Sequence, residues 1–427
     1  MRPATQILVD RPLYLENLLS WRDKPDVIKI VTGIRRCGKS TLFQMFRSRL
    51  VVSHGVMETQ IQEINFEDAD FSDLLDWKKL HEHIKSRLVP DKMNYIFLDE
   101  IQNVPNFEKT VNSLRLRGNA DIYITGSNSR ILSGELATLL SGRYITIHIQ
   151  PFSFKEYMSA YSVLKIGALS PRNLNPGIVF QDYLFNSSFP SAAQLLAWTG
   201  TASSGAARLE SEQVRQFLGS IFDTIVLKDI VERKGVKDVS RLKKVIKFIF
   251  DNIGSETSIR NIKNTLESDN GIKIDADTIE NYLDGLMDAF VVYKIGRYDI
   301  KGKQHLKTNA KYYVADIGLR YLLLGREGDS GHILENIIFL ELLRRGYNVS
   351  IGKINAHEVD FVAVKNGSTE YYQAAHEVSD KTTRDRELRA LDAIDNHNPK
   401  FLLTMDNPLT QEYKGIKIIN ALDWLLA

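Results

Sequence analysis

An apolar run, Val27-Ile-Lys-Ile-Val31, opens almost directly onto Gly33-Ile-Arg-Arg-Cys-Gly-Lys-Ser-Thr41. No other feature of the chain constrains its fold as tightly. Gly33 to Ser40 fit G-x-x-x-x-G-K-[ST], the strand-to-helix turn that wraps a polyphosphate in backbone N–H groups. Such a turn needs residues tolerant of unusual dihedrals, and Gly33 and Gly38 supply them. Leu42, Phe43, Met45, Phe46 and Leu50 then predict an amphipathic helix from about Lys39, its positive end aimed at the same anion. The nucleotide-binding set is therefore Gly33, Ile34, Arg35, Arg36, Cys37, Gly38, Lys39, Ser40 and Thr41. Lys39 is placed to reach the β- and γ-phosphates, and the Ser40 hydroxyl to coordinate Mg²⁺.

A second apolar run, Tyr95-Ile-Phe-Leu, ends in Asp99-Glu100. A buried strand ending here points both carboxylates at the carboxyl edge of a parallel sheet, where ligands bind. Asp99 is the candidate for holding Mg²⁺, and Glu100 for orienting or activating the attacking water. Together the two motifs imply ATP hydrolysis with Mg²⁺. A third strand, within Asp121-Ile-Tyr-Ile-Thr-Gly-Ser-Asn-Ser129, breaks at Gly126 and brings Asn128 and Ser127, ahead of Thr125, into position to sense the γ-phosphate. Gly-Ser-Asn is also a turn signal, so strand-end turn chemistry is the alternative reading. Arg143, before the alternating strand Tyr144–Ile149, is either an arginine finger, acting in its own subunit or a neighbour, or a surface arginine.

At 427 residues the chain exceeds a single compact core. A net charge of +2 gives no bulk attraction for polyanions, so any nucleic-acid contact must rest on a local patch. Cys37 is the sole cysteine, which excludes internal disulfides and fits a reducing, cytoplasmic setting. Within the loop it is either a tolerated packing residue or a point at which oxidation blocks ATP. No apolar core follows Met1–Thr5 to suggest a signal peptide. Nor is any apolar stretch long enough to span a membrane.

Residues 26–150 alternate apolar strands with helical segments, as a mostly parallel sheet requires, with strands expected at 27–32, 61–66, 95–98, 121–125 and 144–149. A lead-in helix before them packs Leu13, Leu15, Leu18, Leu19 and Trp21. Thr199–Gly205 reads as a flexible loop. Helices are expected over 212–232, Leu242–Ile253, Ser258–Glu267 and Asp275–Ala289. Two strands, 290–298 and 311–315, then flank a basic turn, Lys301–Lys307. Three helices and such a ribbon follow the winged-helix plan; either Lys301, Lys303 and Lys307 meet DNA phosphates there, or the module serves for packing within the ATPase. Residues 331–427 return to alternating helix and strand.

In combination, Gly33–Ser40, Leu98-Asp-Glu-Ile-Gln-Asn103, Thr125–Ser129, Leu140-Ser-Gly-Arg143, Pro151-Phe-Ser-Phe and Glu358-Val-Asp-Phe361 resemble the prokaryotic AAA+-type ATPases that carry a carboxyl-terminal domain of unknown function. The resemblance implies a P-loop NTPase sheet over 1–210, a winged helix over 211–330, and a restriction-endonuclease-like α/β domain over 331–427. It also implies that Arg143 belongs to the ATPase machinery. Many AAA+ proteins form rings, so a homo-oligomer is one expectation. The protein partner stays open, as does the choice between a motor and a slow nucleotide-controlled DNA- or protein-binding switch. A nuclease of this fold needs a strand aspartate and, on the next strand, an acid two residues before a lysine, together holding Mg²⁺ and water. Asp360 fits as the strand aspartate and Glu335 as the first-helix acid that often completes the set, but Gln373 stands where the next-strand acid should be and Ala375 where the lysine should be. The nuclease activity is therefore expected to be lost.

Overall fold

The computed structural model describes residues 8–132, 140, 142–164, 174–199, 212–271, 273–325, 330–407 and 410–427. The chain forms two units, Met1–Pro151 with Asp288–Phe290, and Phe152–Met287 with Val291–Ala427.

The first unit is built on strands β1 (Ile28–Thr32), β2 (Ile61–Asn65), β3 (Asn94–Asp99), β4 (Ala120–Gly126) and β5 (Tyr144–His148). They form one sheet in the order β2-β3-β4-β1-β5, and every pairing is parallel. Every residue of β1, β3 and β4 is buried, whereas the edge strand β2 alternates. That is why the central strands read as unbroken apolar runs: covered on both faces, they have no solvent side. Helices α1 (Pro12–Ser20), α2 (Lys39–His54), α3 (Trp77–Lys85) and α4 (Phe107–Arg115) belong to this unit. Beneath α2, Phe43 and Phe46 pack edge-on against Phe97 of β3, which stacks on Tyr123 of β4. This anchors the helix that starts at the phosphate loop. Tyr14, Leu15 and Leu18 are the buried residues of α1, and Leu13 is half exposed. The expected packing face is thus rotated: Pro12 opens the helix, and Tyr14 with Leu18 forms its i, i+4 stripe.

In the second unit, Ser153 caps α5 (Phe154–Val163), its hydroxyl accepting from Glu156 N–H while the Glu156 carboxylate accepts from Ser153 N–H. Helices α6 (Pro176–Phe185), α7 (Pro190–Thr199) and α8 (Glu212–Thr224) follow, α8 widening into a π-helix over Ile225–Glu232. The loop expected after Thr199 lies outside the described residues. Next come α9 (Val239–Asp251), α10 (Ile259–Asn270) and α11 (Ala276–Asp288), then the antiparallel pair β6 (Val292–Asp299) and β7 (Gln304–Val314).

The basic turn is tighter than the sequence suggests. The Asp299 carboxylate accepts from the Lys301 and Gly302 N–H groups at 3.0 Å each, and Lys303 takes a positive φ of 52°. The chain therefore reverses over Ile300–Lys303 and resumes as strand at Gln304. Lys301 and Lys303 are exposed at this tip; Lys307 lies on β7, its side chain outside the described residues.

The hairpin does not stand alone. After α12 (Ile317–Leu324) and α13 (Ser330–Arg344), β8 (Asn348–Ile354) pairs with β6 in parallel through Arg297–Asp299 and Ile351–Lys353. With β9 (His357–Lys365), β10 (Ser368–Ala375), β11 (Lys400–Thr404), β12 (Glu412–Tyr413) and β13 (Ile416–Asn420), the sheet runs β12-β13-β11-β10-β9-β8-β6-β7. Helices α14 (Lys381–Asp392) and α15 (Ala421–Leu426) complete the unit. No helix among the described residues is long and apolar enough to cross a membrane.

Candidate functional site

The loop between β1 and α2 is held by close backbone contacts. Gly33 has a φ of 152°, and a Cβ there would come within 2.2 Å of the Ile149 carbonyl oxygen, so no other residue fits. Gly38, with φ 99°, caps α2 in the left-handed region. Lys39, 5% exposed, folds back along the loop. Its Nζ donates to the Gly33 carbonyl at 3.1 Å and lies 3.5 Å from Glu100 Oε1.

Asp99 and Glu100 end β3 beside this loop, both buried. Thr125, at the end of β4, organises them: its hydroxyl donates to Asp99 Oδ1 and accepts from Glu100 N–H at 2.8 Å. Burial pushes the Asp99 carboxyl above its ordinary range, while hydrogen bonds from the Ser40 and Thr125 hydroxyls pull the other way. Glu100 sits in the left-handed region with φ 53°, and Gln102 Nε2 donates to its Oε2. Burial is the largest single influence on Glu100 and works to raise its pKa. The Lys39 charge and the Gln102 bond, with smaller help from Arg35 and Ser127, outweigh it and hold the carboxyl below its ordinary range. Ser40 and Asp99 thus present hard oxygen donors side by side at the foot of α2, a set that fits Mg²⁺.

Asn128 and Ser127, 3% and 0% exposed, follow β4. Cys37 is fully buried and burial pushes its thiol up, which leaves it without the thiolate that reactive cysteines need. Arg36 is exposed, with a φ of 68°, and Arg35 pairs with Glu67 at 3.0 Å.

Arg143 is not brought together with the others. Ile28 N–H donates to its carbonyl, and Tyr144 pairs with Ile28 at the start of β1. The phosphate loop leaves the other end of that strand, about 13 Å away at the usual rise per residue. Arg143 is exposed at the opposite edge of the sheet and its own loop is beyond its reach.

Residues 26–158 match the AAA domain family, and residues 180–330 match a domain of unknown function (DUF8612). An uncharacterized protein of Haemophilus influenzae is 39% identical over 425 residues, covering 99% of this chain and 100% of that one. An uncharacterized protein of Methanocaldococcus jannaschii is 31% identical over 402 residues, covering 90% and 83%. The chain belongs to the same family as these two proteins. The AAA domain match spans the loop and strand ends just described. Among solved structures, the ORC2 protein of Aeropyrum pernix is 14% identical with a TM-score of 0.37, covering 66% of this chain and 84% of that one. AMPPCP-bound DnaA from Aquifex aeolicus is 16% identical with a TM-score of 0.32, covering 66% and 92%.

Outside the AAA domain, a second buried cluster holds Glu335 of α13 and Asp360 of β9, as the sequence suggested. It also holds a lysine that the sequence reading missed. Lys311 of β7 donates from Nζ to Glu335 at 2.8 Å and pairs with Glu358 at 2.7 Å, while Tyr313 donates to Glu335. Burial works to lower the Lys311 pKa, but Glu335, Asp360 and Glu358 outweigh it and keep the ammonium charged. Burial and the Glu335 charge push Asp360 well up. Gln373 fills the place of the missing acid, its Oε1 accepting from Asp360 N–H at 3.2 Å and its Nε2 donating to Glu387 at 3.0 Å. Lys381 is exposed at the start of α14. The only local signal for Lys311 was a charge beside the apolar run Tyr312-Tyr-Val-Ala315.

Proposed function

We propose that the chain hydrolyses ATP with Mg²⁺ and uses the cycle to alter its binding of a partner. The pairing of Lys39 with Glu100 carries this reading, because it joins the phosphate loop to the end of β3. The loop amides of Gly33–Thr41 cradle the phosphates, and Lys39 turns from Gly33 and Glu100 toward the β- and γ-phosphates. Ser40 and Asp99 would hold Mg²⁺, whose charge would offset that developing on the transferred phosphoryl group. Glu100 orients a water and accepts its proton as the oxygen attacks the γ-phosphorus. The bond to the bridging β–γ oxygen breaks, giving ADP and phosphate. Asn128 reads the γ-phosphate, and Arg143 serves the site of a neighbouring copy. Lys39→Ala is expected to lower turnover by about 10²–10³-fold, the usual cost of one preorganised charge contact. Turnover at the parent rate in this variant, measured as phosphate release, would remove the assignment.

Helices α9–α11 with the β6–β7 hairpin follow a winged-helix plan, and the Lys301–Lys303 tip offers cations to DNA phosphates. The alternative of a slow switch predicts low basal turnover with nucleotide-dependent retention of DNA.

The carboxylate cluster of the second unit is a structural, non-cutting version of a nuclease site. The Lys311 ammonium is already paired with Glu335, one of the two carboxylates that such a site would offer a divalent ion, and with the neighbouring Glu358. Plasmid incubated with the full chain and Mg²⁺ or Mn²⁺ is expected to remain uncut. Cleavage that disappears in Asp360→Ala overturns this reading.

A further inference from the structure

Arg11 stands just before α1, far from the loop in sequence, yet it is 3% exposed and its guanidinium lies against the back of the loop. Nη1 donates to the Cys37 carbonyl at 3.0 Å, and Nη2 donates to the Gln150 carbonyl at 2.8 Å. The charge also lies 4.6 Å from the centre of the Tyr14 ring, whose hydroxyl accepts from Gln150 N–H at 3.3 Å. We infer that Arg11 is a positioning residue for the nucleotide, and that it ties the phosphate loop to the point where the chain leaves the β5 strand.

One planar peptide links Arg11 to the inside of the loop. The Cys37 carbonyl and the Gly38 N–H belong to the same trans unit, so they point in opposite directions. Holding the carbonyl against Arg11 turns the Gly38 N–H toward the inside of the loop, where a phosphate oxygen would accept it. The two guanidinium arms form a fork with fixed geometry, which a lysine cannot reproduce. The other arm reaches residues that the loop already touches. Ile149 N–H donates to the Thr32 carbonyl at 2.8 Å, and the Ile149 carbonyl is the atom that excludes a side chain at Gly33. Loop and strand exit therefore form one clamped assembly. Pro151 is the last residue of this stretch in the first unit, and Phe152 begins the second. Occupancy of the loop is thus felt at residues 149–151 through Arg11.

This inference rests on the ATP reading, and the test separates the two. In the full chain, Arg11→Lys keeps the charge but loses the fork. It is expected to melt close to the parent, to bind a fluorescent ATP analogue about 10–100-fold more weakly, and to keep its kcat at saturating ATP. That range is the usual cost of losing a partner that orients a ligand-binding group. Arg11→Gln, which retains one donor arm without the charge, is expected to weaken binding at least as far. Amide exchange at Ile149 and Gln150 should slow on nucleotide binding in the parent and not in Arg11→Lys. Parental affinity in a folded Arg11→Lys or Arg11→Gln chain overturns the inference. A parent chain that binds no ATP defeats the ATP reading itself.

Discussion

Glu100→Gln is expected to bind ATP and fail to turn it over. Glutamine has the shape of glutamate, so the hydrogen bond from Gln102 and the backbone bond to Thr125 have no steric reason to change. What disappears is the negative charge and the ability to take a proton from water. General-base assistance contributes about 10²–10⁴ in rate, so phosphate release should fall by at least the lower figure. Affinity should move the other way. Glu100 is the carboxylate nearest the Lys39 ammonium at 3.5 Å, and removing its charge frees Lys39 for the phosphates. The measurement is a pair: equilibrium binding of ATP and single-turnover release of the γ-phosphate. Slower release with equal or tighter binding is the expected result, and release at the parent rate removes Glu100 from its role. The acid limb of the parent's kcat/KM profile, which reports the free enzyme, should also lie below the ordinary glutamate range, because Lys39 and Gln102 hold the Glu100 carboxyl down before nucleotide binds. A base that stays ionised to lower pH loses activity later on acidification.

The candidate ATP site was legible because its motifs are local. A glycine-rich turn, its lysine and its serine are neighbours in sequence, and Asp99-Glu100 closes an apolar run that only a doubly covered strand would carry. The same logic recovered all five strands of the first sheet to within a residue or two at each end. What stayed hidden was polar and long-range. Nothing beside Arg11 in the sequence points to its carbonyl acceptors, one of them 139 positions away. Lys311 and Glu335 lie 24 residues apart on different element types, with no spacing rule to connect them. Position left Arg143 open between an arginine finger and a surface arginine, and the resemblance favoured the first; the register of β5 against β1 was needed to see which edge of the sheet it occupies. The β6–β7 hairpin read correctly as a ribbon, but its parallel pairing with β8 depends on a crossover through α12 and α13 that periodicity does not encode.

The other large effect concerns stability. Lys29 of β1 and Asp121 of β4 form an ion pair in which both side chains are 0% exposed. Lys29 Nζ also donates to the Lys24 carbonyl at 2.8 Å, and Asp121 Oδ2 accepts from the Tyr123 hydroxyl at 2.8 Å and Asp23 N–H at 2.9 Å. Burial lowers the lysine pKa and raises that of the aspartate, against the attraction between them, so each charge is tolerated only because the other is present. Lys29→Met leaves an unpaired carboxylate in the core, and breaking a buried pair from one side costs about 3–5 kcal/mol. At a urea slope of about 2 kcal/mol per molar, the unfolding midpoint should fall by roughly 2 M. The double variant Lys29→Met, Asp121→Asn is expected to recover most of that loss. Asparagine still accepts from Tyr123 and Asp23, and no charge remains to be solvated. A single variant within about 1 kcal/mol of the parent, or a double variant as unstable as the single, would show that the pair does not govern this part of the core. ATP affinity provides the control. Lys29 lies near the start of β1 and the phosphate loop leaves its far end, so the folded double variant should bind nucleotide as the parent does.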